Sequence, residues 1–191
     1  MNVISRRLSP ERRARIVDAA RHLILRQGLR ATTMEAIARE ARIAKPTLYG
    51  YFADKEAVFA TIIQALVDDI RAAVDSALSG EGDVVARVGG ALAAKYKVVA
   101  KLLDGSPHAD ELYSEHGRSA AAQFAAVEQQ IEAAITGALQ QAGVARPRPL
   151  AQLLLASAYG IGSKAATPAE IGPAIRLLVE RLVRPELPGR G

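Results

Sequence analysis

The amino-acid sequence predicts an all-α fold of about nine helices, on the basis of three observations. Apolar residues recur every three or four positions along nearly the whole chain, which is the period of an amphipathic helix. Segments rich in Gly or Pro interrupt that pattern about once per helix length. Strand-like pairs occur only at Val84–Val85 and Val98–Val99, and each pair lies within a helical period.

The first helix is predicted at Pro10–Gln27, since Ser9 can cap it, Pro10 suits its first turn and Gly28 can end it. A second helix follows, opening at Thr32–Thr33 and running to Ala41, and Thr32 has capping-box spacing to Glu35. After a three-residue break, a brief third helix is expected at Lys45–Phe52.

A longer helix is predicted from the Ala53–Asp54 cap to about Leu78, with an apolar stripe along one face. Pro173 marks a possible start or bend within the last helix. The helices after Leu78 are predicted at Asp83–Leu103, Ala109–Glu115, Ser119–Ala142, Leu150–Lys164 and Pro168–Arg184.

Composition excludes several functional classes. The chain has 191 residues, half of them hydrophobic, which is long enough to bury a core without disulfides or metals. The absence of Cys excludes thiol catalysis and Cys-ligated metal sites. No apolar span of about 18 residues and no signal-peptide core are present. We therefore expect a cytoplasmic protein without membrane contact, cofactor or metal; the face formed by His108, Glu111 and Glu115 is expected to be solvated.

Positive charge is concentrated at one end of the chain. Residues 1–55 contain 12 Lys and Arg against 5 Asp and Glu, a balance of +7, whereas residues 56–191 contain 13 against 15, a balance of −2. A basic head on a slightly acidic body is expected when one end binds a polyanion.

The second and third predicted helices have the plan of a helix-turn-helix, in which the second helix lies in the major groove of DNA. Leu48 and Phe52, four residues apart, can pack the short helix onto the domain. The outward side chains suit hydrogen bonds to phosphates or base edges: Lys45, Thr47, Tyr49 and Tyr51.

A specific motif runs through this segment as TTMEAIAREA at 32–41 and KPTLYGYFADKEAVF at 45–59. The motif resembles the DNA-binding segment of the TetR family of bacterial transcriptional regulators. The resemblance covers about 60 residues, from Pro10 to about Ile70, and the remainder agrees only in helix count and order. It implies a three-helix DNA-binding domain at 1–55 and an effector-binding and dimerisation domain at 56–191.

The resemblance also implies which residues touch DNA. Arg42 stands at a turn glycine of the family pattern and can add a phosphate contact, Ala44 replaces a frequent capping Ser, and Gly50 replaces a larger residue that often touches DNA. The implied phosphate contacts are Thr33, Tyr49, Tyr51 and Lys55, and those near base edges or the adjoining backbone are Lys45, Pro46 and Thr47.

A single helix-turn-helix reads only half of a two-fold symmetric site, which calls for a second copy. The segment Leu150–Lys164 is apolar on almost all sides. Either a second subunit covers part of this helix, or the chain itself buries the helix completely. The resemblance implies a homodimer through a four-helix interface. The residues assigned to it are Leu153, Leu154, Ala156, Tyr159, Gly160, Ile175, Leu178 and Leu182.

The resemblance further implies that a small, largely apolar effector binds in the Ala-rich body. For each residue assigned to that pocket, the alternative role is ordinary core packing. Lys95 lies on the flank of the apolar stripe, where it can pair with an acidic effector or extend its ammonium to solvent. The residues assigned to this pocket are Leu66, Ile70, Leu92, Lys95, Tyr96, Val99, Phe124, Val127 and Ile131.

These observations predict a dimeric, ligand-responsive repressor that binds a double-stranded DNA operator. An enzyme is not expected, because the sequence contains no Ser-His-Asp arrangement, phosphate loop or zinc-binding helix motif. The alternative is a helical scaffold or a membrane-surface module that uses the basic head.

Overall fold

The computed structural model describes residues 9–103, 118–165 and 167–188, and these residues contain helices and no strand. The all-α prediction is therefore confirmed. The helix predicted at 109–115 and the face with His108 lie outside the described residues. The helices are α1 Pro10–Gln27, α2 Met34–Glu40, α3 Lys45–Tyr51, α4 Lys55–Leu78, α5 Val84–Leu103, α6 Arg118–Gln141, α7 Pro147–Lys164 and α8 Pro168–Val183, followed by a 3-10 turn at Arg184–Glu186.

Both ends of α1 form as predicted. The Ser9 hydroxyl accepts a hydrogen bond from the Arg12 N–H at 3.4 Å, and Gly28 ends the helix with φ of 84°. The capping box predicted for α2 is wrong by one residue, because Thr33 is the cap and accepts from the Ala36 N–H at 3.1 Å. Thr32 is buried instead and donates its hydroxyl to the Gly28 carbonyl at 2.8 Å.

Helix α7 starts earlier than predicted, whereas α8 starts at the predicted residue. Helix α7 begins at Pro147, three residues before the predicted Leu150, since a proline is well tolerated in the first helical turn. Helix α8 begins at Pro168 and continues through Pro173. A proline in the second turn removes one intrahelical hydrogen bond, which the packing of α8 against its neighbours offsets.

The chain divides into two compact units. Among the described residues, the first comprises 9–65 and 118–121, and the second comprises 66–103, 122–165 and 167–188, so the division falls inside α4. In the first unit, the core is built from the inner faces of α1 to α4. Its largest buried side chains are Ile16, Leu23, Ile24, Ile37, Leu48, Phe52, Phe59 and Ile63.

The second unit is built on close packing of α5 against α8. A methyl group at Gly89 of α5 would lie 3.7 Å from the Val179 Cβ of α8, an ordinary van der Waals distance, so the two helices approach closely at this point. Arg184 joins the same elements by donating to Asp83 at 2.6 Å and to Glu180 at 2.9 Å. None of the described helices combines the length and apolar character needed to span a membrane.

Candidate nucleic-acid interface

The turn between α2 and α3 is a Schellman motif, a C-terminal cap that requires a left-handed residue. The Ile43 N–H donates to the Ala38 carbonyl at 2.9 Å, and the Arg42 N–H donates to the Arg39 carbonyl at 3.1 Å. Arg42 has φ of 55°, the single positive φ outside glycine in the described part of the chain. The turn thus forms with the geometry of a helix-turn-helix, but with a residue that pays a conformational penalty there.

The same motif recurs at the end of α6 with the usual residue. There the Val144 N–H donates to the Leu139 carbonyl at 3.1 Å, and Gly143 occupies the left-handed position with φ of 83°. Since glycine has no Cβ, this second turn is unstrained. The comparison within one chain shows that the strain at Arg42 comes from the residue and not from the turn.

Helix α3 is held to its unit by one buried side chain, Leu48. Its cap residue, Ala44, makes no side-chain hydrogen bond to the helix, and a methyl group at Gly50 would meet nothing within 4 Å. The other residues of the helix are exposed or half-buried. Of the residues predicted to contact DNA on α3, Lys45, Pro46, Tyr49 and Gly50 are exposed, and Thr47 and Tyr51 are half-buried.

Lys45 is paired with Glu35 of α2, an acidic partner that the sequence analysis did not identify. The Lys45 ammonium also lies 5.9 Å from the centre of the Tyr49 ring. The hydrogen bond that Lys45 donates to Glu35, together with the carboxylate charge, raises the pKa of Lys45, and the same hydrogen bond lowers the pKa of Glu35. The pair is exposed on both sides, so it contributes little to stability and can be exchanged for another anion.

Two predicted phosphate contacts also have structural partners. The Tyr51 hydroxyl accepts a hydrogen bond from the Ser9 N–H at 2.9 Å, which ties the start of α1 to α3. The Lys55 ammonium donates to the Leu29 carbonyl at 2.9 Å, between α1 and α2. Each group retains a proton to donate, since a tyrosine hydroxyl also donates and an ammonium has three N–H bonds.

A family model described as "Bacterial regulatory proteins, tetR family" matches residues 16–62. This range contains α2, the Schellman turn and α3, whose geometry is that of a helix-turn-helix. The segment that carries the helix-turn-helix therefore matches the TetR family of bacterial regulatory proteins. The resemblance noted in the motif at 32–59 is thereby confirmed.

Comparisons with individual TetR-family and related proteins agree with this assignment. The uncharacterized HTH-type transcriptional regulator YhgD of Bacillus subtilis (strain 168) is 32% identical over 71 residues, 37% of each chain, so this chain matches little more than a third of that curated relative. A TetR/AcrR-family regulator from Thermobifida fusca YX-ER1 has a TM-score of 0.73 at 22% identity, covering 88% of this chain and 96% of that one. The structure of AibR in complex with isovaleryl coenzyme A and operator DNA has a TM-score of 0.64 at 22% identity, covering 90% and 98%.

The two structural comparisons establish a TetR-type fold over most of the chain. The curated relative is named as an HTH-type transcriptional regulator.

The residues assigned to a TetR-type dimer interface fall into two groups. Leu153 and Tyr159 of α7 are 51% and 69% exposed, Ala156 is exposed, and Gly160 and the leucines at 178 and 182 are half-buried. Leu154 and Ile175 have no exposed surface. Their assignment as contacts is corrected, because their side chains fill the core of the second unit and cannot touch a partner. Leu177 of α8, which the sequence analysis omitted, is 58% exposed.

The residues assigned to an effector pocket all lie in the second unit. Leu66, Ile70, Leu92, Val127 and Ile131 are buried core residues, and Tyr96, Val99 and Phe124 are half-buried. Lys95 is buried and pairs with Glu128 of α6. The helical period was sufficient to place the apolar residues, whereas nothing in the local sequence indicated Glu128 as the partner of Lys95.

Replacing Arg42 with Gly is expected to have opposite effects on stability and on DNA binding. Removing the Cβ from a left-handed position should raise the free energy of unfolding by about 1 kcal/mol. Losing a guanidinium that contacts phosphate should weaken DNA binding. The slope of log affinity against log salt should also become shallower by the amount expected for about two phosphate contacts per dimer. Urea unfolding and fluorescence anisotropy with labelled duplex measure the two effects.

Arg42→Lys is the control, since it keeps both the charge and the strain. Unchanged DNA affinity in Arg42→Gly would remove Arg42 from the interface.

Proposed function

We propose that this chain is a homodimeric TetR-family repressor that binds an operator through α3 and is released by a small, largely apolar effector. The observation that supports DNA binding most directly is the outward face of α3. That helix buries one side chain and presents a lysine, a proline and a tyrosine to solvent. A helix used only for packing would bury more of its surface.

Lys45 is the centre of the proposed DNA contact. In the free protein its ammonium is held by Glu35, and on DNA a phosphate would take the place of that carboxylate. Phosphate binding releases counterions, so the affinity must fall as salt rises.

A dimer is proposed because one α3 reads one half-site. The exposed apolar residues Leu153, Tyr159 and Leu177 are the ones that a second copy would cover. Exposed apolar side chains of this size on neighbouring helices favour an interface over a solvated surface.

Release by an effector is proposed from the second unit, where half-buried aromatic residues adjoin the core. AibR, whose fold this chain shares, was solved with isovaleryl coenzyme A and operator DNA together in its structure. An effector that prefers one spacing of the two α3 helices would shift the population of dimers, with a coupling of about 1–3 kcal/mol.

The experiment that tests DNA binding uses Lys45→Ala combined with Tyr49→Phe. With a duplex selected from a random pool by the wild-type protein, we expect the affinity to fall about 10- to 100-fold. The slope of log affinity against log salt should fall by about 1.8, because a dimer loses two phosphate-binding charges. Fluorescence anisotropy over a range of salt concentrations measures both quantities.

Glu35→Gln is the matched control, since it frees Lys45 without removing it, and it should bind the duplex at least as tightly as the wild type. Wild-type binding that is indifferent to salt, or a double variant with unchanged affinity, would contradict the DNA-contact assignment. Equal binding to acidic liposomes and duplex DNA would favour the membrane-surface alternative.

A further inference from the structure

Lys95 is the single charged side chain in the buried core of the described residues. It is 7% exposed and lies on α5 one turn after Leu92, which is fully buried. Removing an ammonium from water is unfavourable unless an anion and hydrogen bonds replace the lost hydration. An apolar side chain would pack there without that cost, so the charge calls for an explanation beyond stability.

The partner of this lysine is an acid from the neighbouring helix, and the two are unequally buried. The Lys95 side chain is 8% exposed, whereas that of Glu128 on α6 is 45% exposed. The cation is therefore held in place, and the carboxylate reaches it from the rim of the unit. A half-exposed glutamate can turn toward water when a competing anion takes its place on the ammonium.

The surface next to this ion pair is apolar and only partly covered. Phe124 stands four residues before Glu128, on the same face of α6, and Val99 stands four residues after Lys95, on the same face of α5. Both are half-buried, as is Tyr96, whose ring centre lies 5.2 Å from the ammonium. One cation at the end of an apolar strip matches a ligand with one anionic group and an apolar body.

We propose that Lys95 binds the carboxylate of an amphipathic monocarboxylate, which displaces Glu128 and lays its apolar chain against Phe124 and Val99. This proposal rests on the proposed function, since it assigns a chemical class to the effector. A carboxylate is favoured because the ammonium already binds one in this geometry and offers a single positive charge. A phosphate dianion would need further cations.

The site also contacts the helix that bears the proposed dimer surface. The Tyr96 ring packs directly on Gly162 of α7, where a methyl group would lie 2.5 Å from two ring carbons. A ligand that displaces Glu128 from the Lys95 ammonium changes the surroundings of Tyr96. Gly162→Ala, which must displace the ring, is therefore expected to alter ligand release of DNA more than operator affinity itself.

The test measures binding of hexanoate, octanoate and decanoate, each against its matching alcohol and below its micelle concentration. Thermal unfolding without DNA reports binding, and anisotropy of labelled duplex reports release. For the wild type we expect at least about 10-fold tighter binding of one or more carboxylates than of the matching alcohol. Lys95→Met should abolish that preference, and Glu128→Gln should keep or increase it, since the competing carboxylate is gone.

Lys97→Met is the matched control, because Lys97 is exposed on the same helix and its loss should leave the preference intact. Lys95→Gln serves as a second variant that keeps a polar side chain if the methionine perturbs folding. Equal binding of acids and alcohols by the wild type, or a preference retained without the lysine, would overturn the site. A carboxylate preference without DNA release would support the site and refute its role as effector. Failure of the wild type and of every variant to bind duplex DNA would instead refute the proposed function.

Discussion

Replacing both Leu153 and Tyr159 with Asp is expected to convert the protein to a monomer and to lower its operator affinity at least about 100-fold. The two side chains are more than half exposed, so charges there should leave the protomer folded. In a dimer they would be buried, and four unpaired carboxylates in one interface are strongly unfavourable. A monomer reads one half-site and loses the linkage of the two binding events. Light scattering measures the mass, and anisotropy measures the affinity.

Gln129→Asp combined with Gln140→Asp is the matched control for this prediction. Both glutamines are exposed on α6, so the pair adds the same charge at a surface that the proposed dimer does not use. The control is expected to remain dimeric and to bind DNA with at most a few-fold loss from the added charge. A Leu153 and Tyr159 double variant that stays dimeric would show that the dimer, if present, uses another surface.

Leu48→Ala is expected to lower the free energy of unfolding by about 2–4 kcal/mol, as is usual for a leucine with no exposed surface. Its effect on DNA binding should be larger than the stability loss alone explains. Leu48 is the one buried residue of α3, and Ala44 and Gly50 do little to stabilise this helix. At a temperature where the variant is still folded, we expect a loose α3 and a loss of affinity of about 10-fold or more.

Leu23→Ala in α1 is the comparison, because Leu23 is also buried in the first unit but belongs to another helix. Leu23→Ala should lower the free energy of unfolding by a similar amount. Its DNA affinity, compared under conditions where both variants have the same folded fraction, should be nearly unchanged. Urea unfolding and anisotropy on both variants separate the two effects. Equal losses of affinity would show that Leu48 stabilises the unit in general and does not specifically orient α3.

The local sequence predicted the helix-turn-helix well because its signals are local. Ser9, Gly28 and the Lys45–Tyr51 segment act through neighbours a few residues away, and the structure places them as expected. The incorrect assignment of Thr32 as the cap of α2 also arose from a local signal, which in this case was ambiguous. Two adjacent threonines can each cap a helix, and the choice fell to Thr33 because the Thr32 hydroxyl is buried against the Gly28 carbonyl.

Side-chain contacts between different helices were not predictable in the same way. The pairing of Lys45 with Glu35 depends on the angle between α2 and α3, and that of Lys95 with Glu128 depends on the packing of α5 against α6. The interface residues show the same limit. A helix that is apolar all round does not reveal which side its own core takes, so Leu154 and Leu153 could not be separated by period alone.

The sequence by itself determined the helical class, the helix-turn-helix and the resemblance of that segment to the TetR family, since periodicity, turn residues and a contiguous motif are properties of neighbouring positions. Only the tertiary structure decided which apolar side chains stay exposed, which acid pairs with Lys45, and that one lysine is buried in the second unit. Burial and charge pairing are set by all the elements that surround a residue, and a single helix does not contain that information.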